Sequence, residues 1–410
     1  MEFQAASFEA DFFQHNRDNL RQLFTGTAPI VIAGHGLVQR SADTTYPFQQ
    51  DSNFWYLTGL NEPDLVLVMD KGKDYIILPD QGLTKQLFDG GLNEEFIQKT
   101  SGITTVLDNR AGWKTLSSRI KKAKHTATLA TPPSYILSHG FYTNPSRRAL
   151  ITKIKSINPT IELLDLRDHL VKLRSIKQPQ EIAAIQRAID ITGAAHKKVV
   201  AKAKSAAYEY EVEALITQVF RQADAVHGYQ PIVANGINSC TLHYIQNNQP
   251  LNKKALLLLD VGAEFSHYSA DITRTIALKS PTKRQKAVYQ AVIDIQDYAF
   301  GQLRPGVDLR KYEEKVEKYV GEKLREIGLG KSISHEAIRR YYPHATSHFL
   351  GLDVHDVGQY DKPLASGMVL TVEPGIYIPE EEIGIRIEDD VLITDRGIEI
   401  LSRRIPKRLW

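Results

Sequence analysis

The sequence predicts an α/β protein built from two domains. Its 410 residues exceed a single ordinary domain, because most domains hold about 100–200 residues. Short strand-like runs alternate with helix-like stretches up to about residue 165, and the rest of the chain pairs helices with strand-rich stretches. A composition of 42% hydrophobic and 24% charged residues is typical of globular proteins and excludes disordered, collagen-like and coiled-coil chains.

Charge and cysteine content limit which binding partners and which cellular compartment are expected for the protein. Lys and Arg (51) nearly balance Asp and Glu (48), and a net charge of +3 argues against a nucleic-acid binder that works by bulk charge. The single cysteine, Cys240, rules out an intrachain disulfide and fits a reducing compartment. The N-terminus lacks a basic stretch followed by an apolar one, and apolar runs such as Leu65–Met69 are far below the ~20 residues of a membrane span. We therefore expect a cytoplasmic protein that binds neither nucleic acid nor membrane.

The first part of the chain has the pattern of an α/β domain. An apolar stripe through Phe12 and Leu20 predicts a helix within the first 25 residues. Three β-prone runs follow, and a cap-like Thr-Asn-Pro-Ser then begins a basic helix over 143–157. The predicted strands are Pro29–Ala33, Leu65–Met69 and Tyr75–Leu78.

Helices and strands form larger blocks in the second part. Gln178 before Pro179 is a helix-start signal and predicts a long helix to about Lys204. Two helices followed by a strand-rich stretch occur twice, which indicates an internal duplication although no residue-level repeat is visible. The other predicted blocks are a helix over 208–225, strands within 232–278, helices over 282–303 and 308–327, and strands within 343–402. We predict domains at 1–168 and 169–410.

Two carboxylates lie where a metal site could form. Asp260 ends the apolar run Leu256–Leu259, which is a costly place for a lone carboxylate. Asp271 follows in a second β-prone run after Gly262, so a hairpin can bring the two carboxylates side by side. Adjacent carboxylates repel one another unless they share a proton or a cation. A capped turn with an ion pair between Asp271 and Arg274 explains the pair equally well, so both interpretations stay open.

Three histidines, His344, His348 and His355, lie within twelve positions of one another. The first two have the four-residue spacing of a zinc-protease helix, but Ala345 stands where the catalytic glutamate of that motif would be. Gly351 and the β-branched residues around it also argue against a helix. We therefore reject the zinc-protease motif while keeping the cluster as a candidate site.

Two further segments supply acidic side chains near strand ends. Glu373 follows an apolar run and precedes a Pro-Gly turn, and Arg386 and Glu388 alternate with isoleucines so that both face the same side. The complete set offers four carboxylates and one imidazole, which suits Mn²⁺, Co²⁺, Fe²⁺ or Zn²⁺. Two such ions can share a hydroxide and polarise a carbonyl, which is hydrolytic chemistry. The candidate ligands are Asp260, Asp271, His348, Glu373 and Glu388.

These motifs resemble metallopeptidase family M24, the pita-bread enzymes, in the branch of aminopeptidase P and prolidase. The candidate ligands match the family's Asp, Asp, His, Glu, Glu set in order, and residues 40–59 are similar to the N-terminal domain of aminopeptidase P. The resemblance covers essentially the whole chain. It implies an N-terminal α/β domain of the creatinase/aminopeptidase P type, followed by a C-terminal pita-bread α+β catalytic domain with pseudo-duplicated halves.

The resemblance also implies two divalent metal ions as cofactors, with Mn²⁺ favoured and Co²⁺, Zn²⁺ or Fe²⁺ as alternatives. In the family pattern Asp260 chelates one ion, and Asp271 and Glu388 bridge both. His348 and Glu373 bind the other ion, and Glu373 also serves as general base and acid for the attack of the bridging hydroxide.

Four further residues match family positions that act on the substrate. His243 corresponds to a histidine near the substrate carbonyl, although the sequence alone favours a structural role for it. His355 corresponds to one that stabilises the tetrahedral intermediate, and His344 to one near the substrate pocket. Arg386 corresponds to an arginine that orients the site or the substrate.

The activity implied by the resemblance is removal of the N-terminal residue from peptides with proline in second position, by a homo-oligomer (dimer or tetramer). An Xaa-Pro bond has no N–H for a peptidase cleft to bind, but metal ions that grip the free amine and the carbonyl do not need that hydrogen bond. One alternative is prolidase, restricted to Xaa-Pro dipeptides, with Arg386 as the candidate group for the proline carboxylate. A single-metal creatinase-like hydrolase and a non-catalytic pita-bread binding protein are disfavoured because all five ligands are present.

Overall fold

The computed structural model describes residues 8–80, 82–131, 136, 143–330 and 334–408. Within them the chain forms two compact units, residues 8–173 and residues 174–408. Both units mix helices and strands, so the α/β class predicted from the sequence is confirmed. The predicted domain boundary between residues 168 and 169 falls inside the helix Arg167–Ser175 and stays a prediction.

Most helices of the described residues begin at a side chain that caps them. The side chains of Gln178 and Glu181 form a capping box at the start of the helix that begins at Pro179, and Thr282 and Gln285 form another. The carboxylate of Asp308 accepts hydrogen bonds from backbone amides in the first turn of the helix that follows it. The helices are α1 (Ala10–Leu23), α2 (Ser52–Thr58), α3 (Leu83–Asp89), α4 (Glu94–Ser101), α5 (Asn109–Ile120), α6 (Ser146–Ile157), α7 (Arg167–Ser175), α8 (Pro179–Lys202), α9 (Glu209–Gln222), α10 (Lys283–Gln302), α11 (Leu309–Glu326) and α12 (His335–Arg339), with 3₁₀ turns at Gly236–Cys240 and Pro379–Glu381.

The strands are short and mostly buried. They are β1 (Ile30–Ala33), β2 (Gln39–Ser41), β3 (Thr44–Thr45), β4 (Val66–Asp70), β5 (Lys73–Ile77), β6 (Thr105–Leu107), β7 (His125–Thr128), β8 (Glu162–Asp165), β9 (Val226–His227), β10 (Ile232–Asn235), β11 (Leu256–Val261), β12 (Ala263–Phe265), β13 (Tyr268–Ser269), β14 (Ile272–Ala277), β15 (Val369–Val372), β16 (Gly375–Ile378), β17 (Ile383–Arg386), β18 (Asp389–Thr394) and β19 (Gly397–Ile400).

The unit of residues 8–173 is built on one mixed sheet in the order β6-β5-β4-β1-β7-β8. β1, β4 and β5 pair antiparallel, whereas β7, β8 and β6 join in parallel. Side chains of β1, β4 and β5 pack against α5 and α6 in one apolar core. The first helix and the strands at 30–33, 66–70 and 73–77 agree with the sequence prediction to within a few residues.

The unit of residues 174–408 contains two similar halves. In the first, α8 and α9 pack against the antiparallel sheet β10-β11-β14. In the second, α10 and α11 pack with the antiparallel sheet β15-β18-β19 and the hairpin β16-β17 around a larger apolar core. Two helices and a three-stranded sheet therefore occur twice, as the block pattern of the sequence indicates.

The predicted strand-rich stretch over 343–402 is only partly correct. Strands begin at Val369, and the segment before it is irregular apart from one bridge between Phe349 and Leu370. Side chains rather than a ladder hold part of this segment, because Glu313 of α11 accepts hydrogen bonds from the amide and hydroxyl of Thr346. In the described part of the chain, no helix is both long enough and apolar enough to cross a membrane.

Candidate metal centre

One cavity of about 550 Å³ in the unit of residues 174–408 gathers the side chains that the sequence singles out. Every one of the nine candidate residues lines it, although they come from positions spread over about 145 residues of chain. They are His243, Asp260, Asp271, His344, His348, His355, Glu373, Arg386 and Glu388.

The first half of the unit brings Asp260 and Asp271 together as the sequence predicts. Asp260 lies in β11, and Asp271 immediately precedes β14, its antiparallel neighbour. Between them Gly262 lies close to the backbone of Ala270, since an added Cβ would lie 1.8 Å from the carbonyl oxygen of Ala270. Only glycine allows this approach, which therefore helps to set the distance between the two carboxylates.

Arg274 does not take the part that the ion-pair alternative gives it. Its guanidinium lies 2.7 Å from Asp389 and also donates to the carbonyl oxygens of Ile405 and Pro406. Asp271 instead faces the ring of His348, with 3.4 Å between Nε2 and Oδ2. Its carboxylate therefore points towards other candidate ligands rather than towards Arg274.

The second half supplies Glu373 and Glu388 from the ends of its strands. Glu373 follows β15, and its amide donates to the carbonyl of Thr346 at 2.9 Å. Glu388 lies between β17 and β18, just beyond the strand that ends at Arg386, and both side chains line the cavity. Its amide donates to the carbonyl of Thr273 at 3.1 Å, which ties the two halves together at the cavity.

Asp271, His348 and Glu388 form a compact cluster of possible ligands. Each offers an atom that lies within 4.8 Å of the corresponding atoms of the other two. Glu373 adjoins this cluster, since its Oε1 lies 3.4 Å from His348 Nε2. An ion bound at about 2.0–2.2 Å from each ligand leaves the ligand atoms roughly 3–3.5 Å apart, and the 3.4 Å distances from His348 Nε2 to Asp271 Oδ2 and to Glu373 Oε1 lie in that range.

The tautomer of His348 also suits a ligand. Its Nδ1 lies 3.0 Å from the carbonyl oxygen of Phe349, and a carbonyl can only accept, so Nδ1 carries the proton. Nε2 lies between Asp271 and Glu373, and its lone pair would be available to an ion that displaces its proton. Burial alone would lower the pKa of His348, but these two carboxylates raise it to about 9.

The carboxylates of the cavity repel one another strongly. Burial and the charges of Asp271 and Asp260 raise the pKa of Glu373 to about 8, despite the opposing influence of His348 and Arg386. Burial and the charges of Asp271 and Glu373 raise the pKa of Glu388 well above its usual value. Such a set ionises together only when cations offset its charge, so the residues present fit divalent metal ions.

Arg386 occupies the side of the cavity next to Asp260. Arg386 is 4% exposed, and its guanidinium donates to Asp260, to the hydroxyl of Tyr377 at 2.8 Å and to the hydroxyl of Thr273 at 3.1 Å. Against the effect of burial, this guanidinium and the Tyr229 hydroxyl hold the pKa of Asp260 below its usual value. Asp260 is therefore kept ionised, and the guanidinium of Arg386 makes its hydrogen bonds to side chains of the protein itself.

The three other histidines surround the carboxylate cluster. His344 Nε2 lies 2.8 Å from the Tyr377 hydroxyl, and burial lowers the pKa of His344 to about 3, so it is neutral. His355 packs edge-on against His348 with 4.4 Å between ring centroids, and burial lowers its pKa too. His243 is exposed on the cavity wall and so is free to meet a ligand there.

Tyr229 is a site residue that sequence reasoning missed. Its hydroxyl lies 2.6 Å from Asp260 Oδ1 and 2.6 Å from Asp271 Oδ1. Burial, with the charges of Asp260 and Asp271, raises the pKa of Tyr229 well above its usual value, so the hydroxyl keeps its proton. A lone tyrosine in a loop carries no spacing signal, and this role is visible only once the two aspartates have been brought together.

Comparisons with known proteins agree with the sequence-based assignment. The profile of metallopeptidase family M24 matches residues 183–395, and that of the aminopeptidase P N-terminal domain matches residues 13–129. A Xaa-Pro aminopeptidase of Haemophilus influenzae is 35% identical over 90% of this chain and 89% of its own.

Solved structures of Escherichia coli aminopeptidase P are also similar. A zinc-substituted form in complex with product has a TM-score of 0.87 at 30% identity, and covers 98% of this chain and 97% of its own. A form with the inhibitor Pro-Leu has a TM-score of 0.86 at 29% identity, with the same coverage. The chain therefore belongs to metallopeptidase family M24, in its Xaa-Pro aminopeptidase (aminopeptidase P) branch, and is a hydrolase.

Proposed function

We propose that this protein removes the N-terminal residue from peptides whose second residue is proline, using two divalent metal ions. The observation that carries the proposal is the convergence of three buried carboxylates, the partly buried Glu373 and one imidazole on a single cavity. The residues that would hold these ions are Asp260, Asp271, His348, Glu373 and Glu388. Mn²⁺ is the proposed native ion, and Co²⁺, Zn²⁺ and Fe²⁺ suit the same donors.

Divalent ions in this cavity would polarise the scissile carbonyl and activate water for attack. Glu373 is the proposed general base and acid, taking a proton from the attacking water and passing it to the departing proline nitrogen. His355 and His243 flank the same cavity, where they can donate to the carbonyl oxygen as it gains charge.

Proline in second position imposes a special requirement on the site. Its nitrogen has no hydrogen, so the cavity must recognise the substrate through the free amine, the carbonyl and the ring. Anionic side chains suit the amine, and apolar residues of the cavity wall suit the ring. The Pro-Leu inhibitor bound by the Escherichia coli relative supports a site for proline in this family.

The hydrogen bonds of Arg386 favour an aminopeptidase over a prolidase. A prolidase must hold the carboxylate of its dipeptide, and Arg386 was the candidate for that task. Its guanidinium already donates to Asp260, Tyr377 and Thr273. We propose that Arg386 orients Asp260 and leaves the far end of the substrate unrestrained, so that longer peptides can bind.

The remaining features are proposed on the same basis. We propose an N-terminal domain of residues 1–168, a catalytic domain of residues 169–410, and assembly as a homo-oligomer (dimer or tetramer). A cytoplasmic location is proposed because the single cysteine fits a reducing compartment.

The test removes metal by dialysis, returns Mn²⁺, Co²⁺ or Zn²⁺, and compares a Xaa-Pro dipeptide with a Xaa-Pro-Xaa tripeptide. We expect metal-dependent cleavage of the tripeptide. Cleavage of the dipeptide alone would favour prolidase, and no cleavage of either with metal bound would overturn the assignment. Glu373→Gln should lower kcat about 10²–10⁴-fold. The matched control Glu399→Gln, on an exposed side chain of β19, should leave kcat unchanged.

A further inference from the structure

The segment that carries His243 has little regular structure to hold it in place. We define the His243 segment as residues 236–249. After the 3₁₀ turn Gly236–Cys240, it contains neither helix nor strand. Yet His243 must lie at a defined place on the cavity wall to act on a substrate, since a displacement of about 1 Å can cost much of a catalytic group's effect.

A single buried carboxylate accepts hydrogen bonds from several parts of this segment and from the residue before it. Glu209, the first residue of α9, is 0% exposed and accepts four hydrogen bonds. The amides of Asn235 and Gln249 donate at 2.9 and 3.0 Å, the side-chain amide of Asn238 at 3.0 Å, and the hydroxyl of Tyr244 at 2.7 Å. Donors from the residue before the His243 segment, from within the segment and from its last residue therefore meet on one side chain.

All four donors are neutral, which distinguishes this carboxylate from an ion-paired one. A buried carboxylate is expensive unless its oxygens are hydrogen-bonded, and four donors satisfy those of Glu209. Any movement of the His243 segment that breaks these hydrogen bonds would leave the buried carboxylate of Glu209 without partners, and this energetic cost opposes such movement. One helical turn on, Glu213 binds the side-chain amide of Asn247 at 2.8 Å and adds a second attachment.

Tyr244 transmits this anchoring to its neighbour. Its ring packs in an apolar cluster with Ile232, Leu258 and Tyr377, and its hydroxyl donates to Glu209. His243, the preceding residue, is exposed on the cavity wall instead. Holding the ring of Tyr244 in the interior therefore determines the direction in which the His243 side chain leaves the backbone.

We propose that Glu209 is a positioning residue for His243, acting through Tyr244 and the backbone of the His243 segment. The proposal rests on the proposed function for the part that His243 plays in the reaction. It does not require Glu209 to meet the substrate, the metal ions or the reacting atoms.

The test is a double-mutant cycle with kcat/KM for a Xaa-Pro-Xaa peptide as the readout. Tyr244→Phe removes one hydroxyl, and Glu209→Gln replaces an acceptor oxygen by an amide group that faces donors. We expect each to lower kcat/KM about tenfold or more, because each loses a hydrogen bond to a charged acceptor. In a His243→Ala background the same changes should alter kcat/KM less than about twofold.

A merely structural role would reduce activity by the same factor in both backgrounds, and that result would overturn the proposal. Tyr289→Phe is the matched control, since Tyr289 is buried and its hydroxyl has no partner among the described residues. It should leave kcat/KM unchanged. If Glu209→Gln does not fold, the Tyr244→Phe cycle decides alone.

Hydrogen exchange separates this proposal from the proposed function. Peptides covering residues 236–249 should exchange faster in Tyr244→Phe than in wild type, and should be unaffected in Tyr289→Phe. Unchanged exchange in Tyr244→Phe would overturn the anchoring whether or not any peptide is cleaved. Faster exchange in an enzyme that cleaves no Xaa-Pro peptide would instead overturn the proposed function and, with it, the catalytic part of the proposal.

Discussion

Asp356 is the centre of a buried charge network whose disruption should be costly. Its Oδ1 lies 2.5 Å from Arg174 Nη2, and its Oδ2 lies 2.8 Å from Lys177 Nζ. The three side chains are 1–2% exposed. Gly351 lets the chain pass close by, since an added Cβ would lie 2.2 Å from Asp356 Oδ2.

Asp356→Asn preserves the shape of the side chain and removes its charge. Two buried cations then lose their shared charged partner, and the ammonium of Lys177 retains its hydrogen bond to the carbonyl of Arg174 at 2.9 Å. Removing one partner from a buried ion pair costs about 3–5 kcal/mol, because the remaining charge stays buried and uncompensated. Arg174 retains Asp353 at 2.8 Å, so we expect a loss near the lower end of that range.

The assay is urea unfolding followed by circular dichroism, with Glu381→Gln as the control. Glu381 pairs with Arg284 at 2.6 Å, and both side chains are about one-third exposed, so this pair should contribute no more than about 1 kcal/mol. If Asp356→Asn lowers the free energy of unfolding by no more than Glu381→Gln does, the reasoning about buried charge is wrong.

Two further predictions concern pH and metal affinity. Burial lowers the pKa of His196 to about 3, so between pH ~6.5 and ~3 the unfolded chain binds a proton that the folded chain does not, and stability falls as pH falls. Between pH 7 and pH 5, the free energy of unfolding of the wild-type protein should fall by about 2 kcal/mol more than that of His196→Gln. The measurement is urea unfolding of the metal-free proteins, and equal decreases in the two would contradict the prediction. Tyr229 binds both Asp260 and Asp271, so Tyr229→Phe should weaken metal binding about 10–100-fold in competition with a chelator. Unchanged metal affinity in that variant would show that the hydroxyl does not orient these carboxylates.

Much of the fold was predictable because it depends on local signals. Pro179 with its capping box marks the start of α8, and the apolar run before Asp260 becomes β11. The strand-rich prediction over 343–402 was wrong as far as Val369, because the irregular segment before it is held by distant side chains such as Glu313. Hydrogen bonds between distant residues leave no periodic pattern in a sequence.

The sequence by itself determined the candidate ligands and their order along the chain, because a carboxylate that ends an apolar strand is costly unless something compensates it. It also determined the family, through motifs spread over the full length. Only the tertiary structure showed that Arg274 pairs with Asp389 rather than with Asp271. It also revealed Tyr229 between the two aspartates, and Glu209 beneath the His243 segment. These roles arise from distances between residues far apart in the chain, which depend on how the strands pair and pack.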